Sequence, residues 1–149
     1  MRKTNFLLEF FIIYFFLNSF SFAINANFFE EAKVLFDKKE FKKSQILFER
    51  DIVFNPKSEN SYLYLAKIFN QNEDHQQEEV NLNNVLVLNP NNEDAIYMLA
   101  SLKIKQSDYS EAKKLIKKFG LVCKSLCMKK HEKQNNFDKF ISKDEKNNN

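Results

Sequence analysis

Apolar residues in the middle of this chain follow a helical period, and the same pattern of large and small apolar positions returns every 34 residues. The recurring sets are Phe28, Tyr62 and Ile96; Val34, Ile68 and Leu102; Phe48, Leu82 and Ile116; and the small residues Ala32, Ala66 and Ala100. A period of this length is typical of helical hairpins that stack side by side. The pattern therefore predicts an all-α solenoid.

The apolar periodicity and the residues that flank it predict seven helices. They lie near residues 27–37, 41–53, 59–70, 75–88, 93–105, 109–119 and 121–133. Asp74 with Gln77 and Asp108 with Glu111 have the spacing of helix N-terminal caps, one period apart. Gly120 is a candidate terminator of the sixth helix.

Two prolines and a row of small residues give the period a family resemblance. Pro56 and Pro90 each follow an asparagine, one period apart. Together with the alanine row, these spacings resemble the tetratricopeptide repeat (TPR), a helix-turn-helix unit with small residues at its eighth and twentieth positions. The resemblance implies a right-handed solenoid of about three repeats within residues 24–126, at about 25–58, 59–92 and 93–126. The twentieth position holds Ser44, Glu78 and Ala112. If the glutamate points at the facing helix, the second repeat is predicted to pack more loosely at that position.

The amino terminus has the composition of an export signal. Arg2 and Lys3 precede the apolar stretch Phe10–Phe22, and small residues precede a cleavage point after Ala23. The chain is therefore predicted to carry a signal peptide at 1–23 and to be periplasmic or secreted, in a bacterial cell envelope. No stable membrane insertion is expected once the leader is removed. An uncleaved anchor at 6–22 is the alternative, although a membrane-spanning helix needs about 20 residues.

The carboxyl terminus is expected to close the solenoid. Leu121, Val122 and Leu126 have the spacing of a capping helix at 121–135 that overlaps the last repeat. Residues 136–149 form a polar tail that is predicted to be partly disordered. The body from 24 to 120 holds 14 basic and 15 acidic residues, and no Lys/Arg block of the nucleic-acid type occurs. Nucleic acid is therefore not an expected partner.

Motifs for catalysis are missing from the sequence. His75 and His131 fall in different predicted elements, and a single glycine argues against phosphate-binding loops. No nucleophile elbow or zinc-hydrolase motif is found. The sequence thus predicts a protein that is not an enzyme and that needs no cofactor.

The two cysteines leave three interpretations open. Cys123 and Cys127 are predicted to form a disulfide in an oxidising compartment. Unbridged thiols are the second interpretation. In the third, His131 completes a C-x3-C-x3-H spacing that is similar to the copper loop of cytochrome oxidase subunit II, although the rest of that family's pattern is absent. A thiol- or metal-handling accessory protein is accordingly the alternative function.

The TPR resemblance also implies a binding face. In that family the first helix of each hairpin lines a concave groove, and its exposed positions contact partners. Carried onto this chain, the predicted partner-binding residues are Phe29, Lys33, Phe36, Asn60, Leu63, Lys67, Asn70, Tyr97, Ser101 and Ile104. Apolar anchors beside lysines would suit a peptide or helix that carries apolar side chains and a carboxylate. The expected partner is another envelope protein. A carboxylate clamp for chaperone termini and self-association are the alternatives.

Overall fold

The computed structural model describes residues 27–123, and in this part of the chain it contains six α-helices and no strand. The helices are α1 (Phe28–Asp37), α2 (Phe41–Phe54), α3 (Glu59–Gln71), α4 (His75–Leu88), α5 (Glu93–Lys105) and α6 (Tyr109–Val122). Their bounds agree closely with those predicted for the first five helices. The predicted signal peptide, the polar tail and all but the first residues of the predicted capping helix lie outside the described residues.

The six helices form three hairpins: α1 with α2, α3 with α4, and α5 with α6. The most extensive contacts lie within the hairpins, and smaller ones join consecutive hairpins through α2–α3 and α4–α5. We call these two contacts the first joint and the second joint. The prediction of an all-α hairpin solenoid is confirmed.

The small residues of the repeat lie where the two helices of a hairpin cross. Ala32, Ala66 and Ala100 are fully buried, as their recurrence predicts. In the first hairpin the Ser44 hydroxyl donates a hydrogen bond of 2.8 Å to the Ala32 carbonyl of the facing helix. The short side chains therefore let the two backbones approach closely.

The second hairpin accommodates a glutamate at the same crossing. Glu78 is buried and its carboxylate accepts a hydrogen bond of 2.8 Å from the Asn70 amide on the facing helix. The His75 Nδ1 atom lies 3.6 Å from the second carboxylate oxygen. The hairpin as a whole is not loosened, since α3 and α4 make the most extensive contact of the three hairpins. At the crossing itself, the second Glu78 carboxylate oxygen and the His75 Nδ1 atom are buried without a hydrogen-bond partner in the described part of the chain. The long side chain lies along the crossing and is held by the asparagine.

The turn inside each hairpin repeats with the same period. Lys39, Glu73 and Ser107 have φ angles of 61°, 58° and 62°. This left-handed conformation normally favours glycine, and here three residues with side chains adopt it. The predicted caps follow directly: the Asp74 and Asp108 carboxylates accept hydrogen bonds of 3.1 Å from the backbone N–H groups three residues on.

The end of the sixth helix differs from the prediction. Gly120 does not terminate α6, which continues to Val122 and is capped by Cys123. Gly120 is exposed and does not have a positive φ, and no atom lies within 4 Å of where a Cβ would be. It therefore remains helical, at a cost of about 1 kcal/mol relative to alanine. The predicted break between residues 119 and 121 was wrong.

Two apolar clusters fill the solenoid. The first, around α1, α2 and α3, is rich in aromatic rings and centres on the buried Phe48, against which Phe29 and Tyr64 pack. The second, formed by α3 to α6, is mainly aliphatic and includes the buried Leu82 and Ile96. Most of the residues whose recurrence predicted the repeat lie in these clusters, whereas Val34 is 51% exposed and belongs to neither.

Each joint also contains a polar contact between hairpins. In the first joint the Ser61 hydroxyl donates a hydrogen bond of 2.5 Å to the buried Asp51 carboxylate. In the second joint the Lys103 ammonium lies 2.6 Å from the Glu79 carboxylate. The hydrogen bond from Lys103 lowers the pKa of Glu79.

Candidate partner-binding face

The ten predicted partner-binding residues all belong to α1, α3 and α5, the first helices of the hairpins. We refer to them as the inner face. At its amino-terminal end, three half-buried rings meet across two helices. The Phe29 and Phe36 rings of α1 lie 5.9 Å and 4.9 Å from the Tyr64 ring of α3, both edge to face. We call Phe29, Phe36 and Tyr64 the aromatic ledge.

The two lysines of the inner face differ in their surroundings. Lys33 is exposed on α1. Lys67 is half-buried, and its ammonium lies 4.9 Å from the centroid of the Tyr64 ring. That distance is within the range of a cation–π interaction. The ammonium is thereby held beside the aromatic ledge, where it gives an apolar surface a positive charge.

The other predicted residues of α3 are placed in three different ways. Asn60 is exposed near the start of the helix. Asn70 is half-buried, and its amide is directed at Glu78 of the neighbouring helix. Leu63 is only 6% exposed and packs in the second cluster with Ala66. Leu63 therefore supports the inner face from behind and offers almost no surface to a partner.

The predicted residues of α5 are all half-buried. The Tyr97 ring lies 5.9 Å from the buried Phe119 ring of α6. The Ser101 hydroxyl donates to the Tyr97 carbonyl one turn earlier at 2.9 Å. Ile104 packs against the second cluster. This end of the inner face is thus less aromatic and has no lysine among its predicted residues.

Tyr64 is not among the residues predicted from the sequence, although it lies at the centre of the ledge. A signal was present: Tyr64 lies three residues before Lys67, a spacing that puts two side chains on one face of a helix. Its contact with Phe36 joins residues 28 apart in sequence. Periodicity shows which positions are equivalent between repeats and does not show which side chains meet across a joint.

The residues predicted for thiol or metal chemistry lie at the carboxyl-terminal end of the described part or beyond it. Cys123 is disulfide-bonded, while Cys127 and His131 lie outside the described residues. A bridged cysteine has no thiolate to offer to a metal. Residues 27–123 contain no cluster of three His, Cys, Asp or Glu side chains with the arrangement of a metal site.

Over the same residues, no helix is both long and apolar enough to cross a lipid bilayer.

No protein-family model matches the sequence, and no curated protein matches it. Solved structures do match. The Sgt2 TPR domain from Aspergillus fumigatus is 17% identical with a TM-score of 0.65, over 81% of this chain and 79% of that domain. A chain of the CopN-Scc3 complex is 17% identical with a TM-score of 0.64, over 74% of this chain and 65% of that one.

The MamA RS-1 ArsTM double mutant is 16% identical with a TM-score of 0.61, over 65% of this chain and 56% of that one. This chain therefore spans less than two thirds of the length of the MamA and CopN-Scc3 chains. Similarity at this level of identity concerns the fold. The helical hairpins, the buried alanine row and these structural matches agree, and the chain has the tetratricopeptide-repeat fold.

Proposed function

We propose that this protein is a non-enzymatic adaptor of the bacterial cell envelope, which binds a peptide or helix of another envelope protein on its inner face. The observation that carries the proposal is the aromatic ledge with Lys67 beside it. Half-buried rings offer apolar contact at a small entropic cost, because they are already held by one another. The ammonium adds a contact for a carboxylate.

The adjoining Lys33 and Asn60 extend this surface with polar groups that remain exposed. A partner segment with one or two apolar side chains and an acidic residue would complement the ledge and both lysines. Two of the similar structures are a chain of the CopN-Scc3 complex and the Sgt2 TPR domain, which agrees with an interaction role. The export signal predicted at residues 1–23 supports the envelope setting.

The test is capture of partners from an envelope extract of the native host, using wild type and a Lys33→Glu/Lys67→Glu variant. Reversing both charges should release a partner that binds through a carboxylate. The matched control is Lys38→Glu/Lys57→Glu, which makes the same charge change at exposed turn positions outside the inner face. We expect a partner that is retained by wild type and control and lost from the inner-face variant.

A quantitative version follows once a partner segment is identified. Calorimetric titration of that segment as a synthetic peptide should show at least a tenfold loss of affinity for the inner-face variant, about 1.4 kcal/mol. Equal binding by all three proteins would refute the proposed site. Leu63→Asp is unsuited to this purpose because its burial makes unfolding the expected outcome.

A further inference from the structure

A second surface lies on the opposite helices of the hairpins. We call it the outer stripe: fifteen residues of α2, α4 and α6 at spacings of i, i+4, i+7, i+8 and i+11, which lie on one side of a helix. The stripe comprises Lys42, Ile46, Glu49, Arg50 and Val53; Gln76, Val80, Asn83, Asn84 and Val87; and Ser110, Lys114, Lys117, Lys118 and Leu121. Thirteen of these residues are exposed and two are half-buried.

Apolar residues of the outer stripe recur at the same place in every hairpin. Val53, Val87 and Leu121 are one period apart and are 73%, 79% and 80% exposed. Ile46 and Val80 form a second row and are 56% and 48% exposed. Single exposed apolar residues are ordinary, whereas apolar residues that are exposed at equivalent positions of successive hairpins give the outer helices a shared apolar character.

The dimensions of the outer stripe favour an extended surface as its partner over a single peptide strand or helix. Residues seven apart, such as Val80 and Val87, are separated by about 10.5 Å along a helix. The row of Val53, Val87 and Leu121 then extends across all three hairpins. The apolar positions are thus spread both along each helix and across the three hairpins. A single peptide strand or helix would cover only one row of them.

Charge gives the outer stripe a definite sign. Its charged members are five basic residues and one acid, Glu49, which accepts a hydrogen bond of 2.7 Å from Gln45. Lys114 also forms an ion pair of 2.9 Å with Glu111, which lies beside the stripe on α6, so the other four basic residues of the stripe carry most of its excess charge. Three of the five basic residues, Lys114, Lys117 and Lys118, lie on α6 close to Leu121. A complementary partner must therefore be negatively charged as well as apolar.

The positive charge of the outer stripe argues against two partners: the chain's own carboxyl-terminal residues and a second copy of the protein. Residues 124–149 follow Leu121 closely in the sequence but contain seven lysines and four acids, so they carry an excess of the same charge. A second copy would present the same positive stripe. An anionic lipid bilayer offers negative headgroups above an apolar layer, which matches lysines interspersed with aliphatic side chains.

We propose that the outer stripe docks the protein peripherally on an anionic membrane surface, with Val53, Val87 and Leu121 at the headgroup boundary. The inner face would then point away from the membrane and remain open. This proposal is independent of the partner-binding function, since the two surfaces share no residue.

The chain contains no tryptophan, so a single introduced tryptophan reports on one position. The experiment uses full-length Val87→Trp and Lys33→Trp, each titrated with vesicles of phosphatidylglycerol and phosphatidylethanolamine or of phosphatidylcholine alone. We expect the fluorescence of the Val87→Trp protein to shift to the blue with anionic vesicles and to be quenched by brominated acyl chains. The Lys33→Trp spectrum should not change.

The contribution of charge is tested in the Val87→Trp background. Lys114→Glu/Lys117→Glu/Lys118→Glu should lower the apparent affinity for anionic vesicles by about a hundredfold or more, given the usual contribution of each basic residue near such a surface. The matched control is Lys33→Glu/Lys38→Glu/Lys105→Glu. It changes the net charge equally and should lower the affinity for anionic vesicles much less. Circular dichroism checks that each variant is folded.

Three outcomes would overturn the proposal. The first is co-sedimentation with vesicles without a change in the Val87→Trp spectrum, which would assign membrane binding to the amino-terminal segment. The second is an equal response to phosphatidylcholine vesicles. The third is an equal loss of affinity in the two triple variants.

Discussion

The two joints of the solenoid stack the same kind of hairpin with different chemistry. Asp51 and Ser61 are hydrogen-bonded in the first joint, and one period later Val85 and Ala95 occupy their positions, both fully buried. The polar pair of one joint is thus an apolar pair in the other.

The ion pair of the second joint, in turn, has no counterpart in the first joint. Glu79 and Lys103 form an ion pair in the second joint, and the equivalent positions of the first joint hold Gln45 and Phe69. Each joint therefore has its polar contacts at different positions of the repeat, and in the second joint the Gln106 amide also donates a hydrogen bond of 3.3 Å to Glu79. Stacking of the hairpins therefore depends on shape and apolar burial, while the polar pairs can be redistributed provided that the buried polar groups of a joint pair with each other.

The largest effect is expected where a buried carboxylate loses its donor. Ser61→Ala removes the hydroxyl that donates to Asp51, whose side chain is almost inaccessible to water. The free energy of unfolding should fall by about 2–3 kcal/mol. Urea denaturation monitored by circular dichroism measures it.

The double variant Asp51→Val/Ser61→Ala gives the first joint the residues of the second. Replacing both polar groups with apolar ones is expected to restore most of the lost stability, to within about 1 kcal/mol of wild type. A double variant that is less stable than Ser61→Ala would show that the two joints are not interchangeable.

A smaller, pH-dependent effect is expected in the second joint. The Lys103 hydrogen bond lowers the pKa of Glu79, so the stability that Glu79 contributes is present above the pKa of an unfolded glutamate, about 4.3. It is lost as the pH falls through the lower pKa of the folded state. Glu79→Gln should therefore cost up to about 1 kcal/mol at pH 7, since the pair is partly exposed.

Denaturation of wild type and Glu79→Gln at pH 7 and near pH 3 tests this expectation. The stability difference should shrink as the pH falls through the lowered pKa of the folded-state carboxylate. Glu31→Gln, at an exposed position of α1, serves as the control and should show little difference at either pH. A constant difference for Glu79→Gln would exclude the ion pair as its origin.

The smallest effects are expected in the turns, where the hairpins do not differ. Lys39→Gly, Glu73→Gly and Ser107→Gly each relieve a left-handed conformation and should each raise the free energy of unfolding by roughly 0.5–1 kcal/mol. Alanine at the same positions should give no gain. Thermal or urea denaturation of the three variants measures the effect, and clearly unequal gains would show that the turns are not equivalent.

Much of the fold follows from the sequence because equivalent positions repeat. Ala32, Ala66 and Ala100 identify the crossings, and the Asp74 and Asp108 caps identify two helix starts. The end of α6 could not be predicted in this way, since Gly120 ends a helix only when its backbone turns left-handed.

The candidate site was less predictable. The family resemblance assigns positions to the inner face, yet Leu63 is buried there and Tyr64 at the next position forms the ledge. The difference depends on the rotation of α3 against α1, which is set by contacts between distant residues such as Phe36 and Tyr64. The different positions of the polar pairs in the two joints could not be predicted for the same reason.

Contacts in this solenoid run chiefly between helices that follow one another in the chain. Each interface can consequently change its residues without requiring changes in the other, as long as its own pair remains compatible. Such local independence lets sequences drift apart while the architecture persists. It gives a physical reason why chains of this shape can share only 16–17% of their residues.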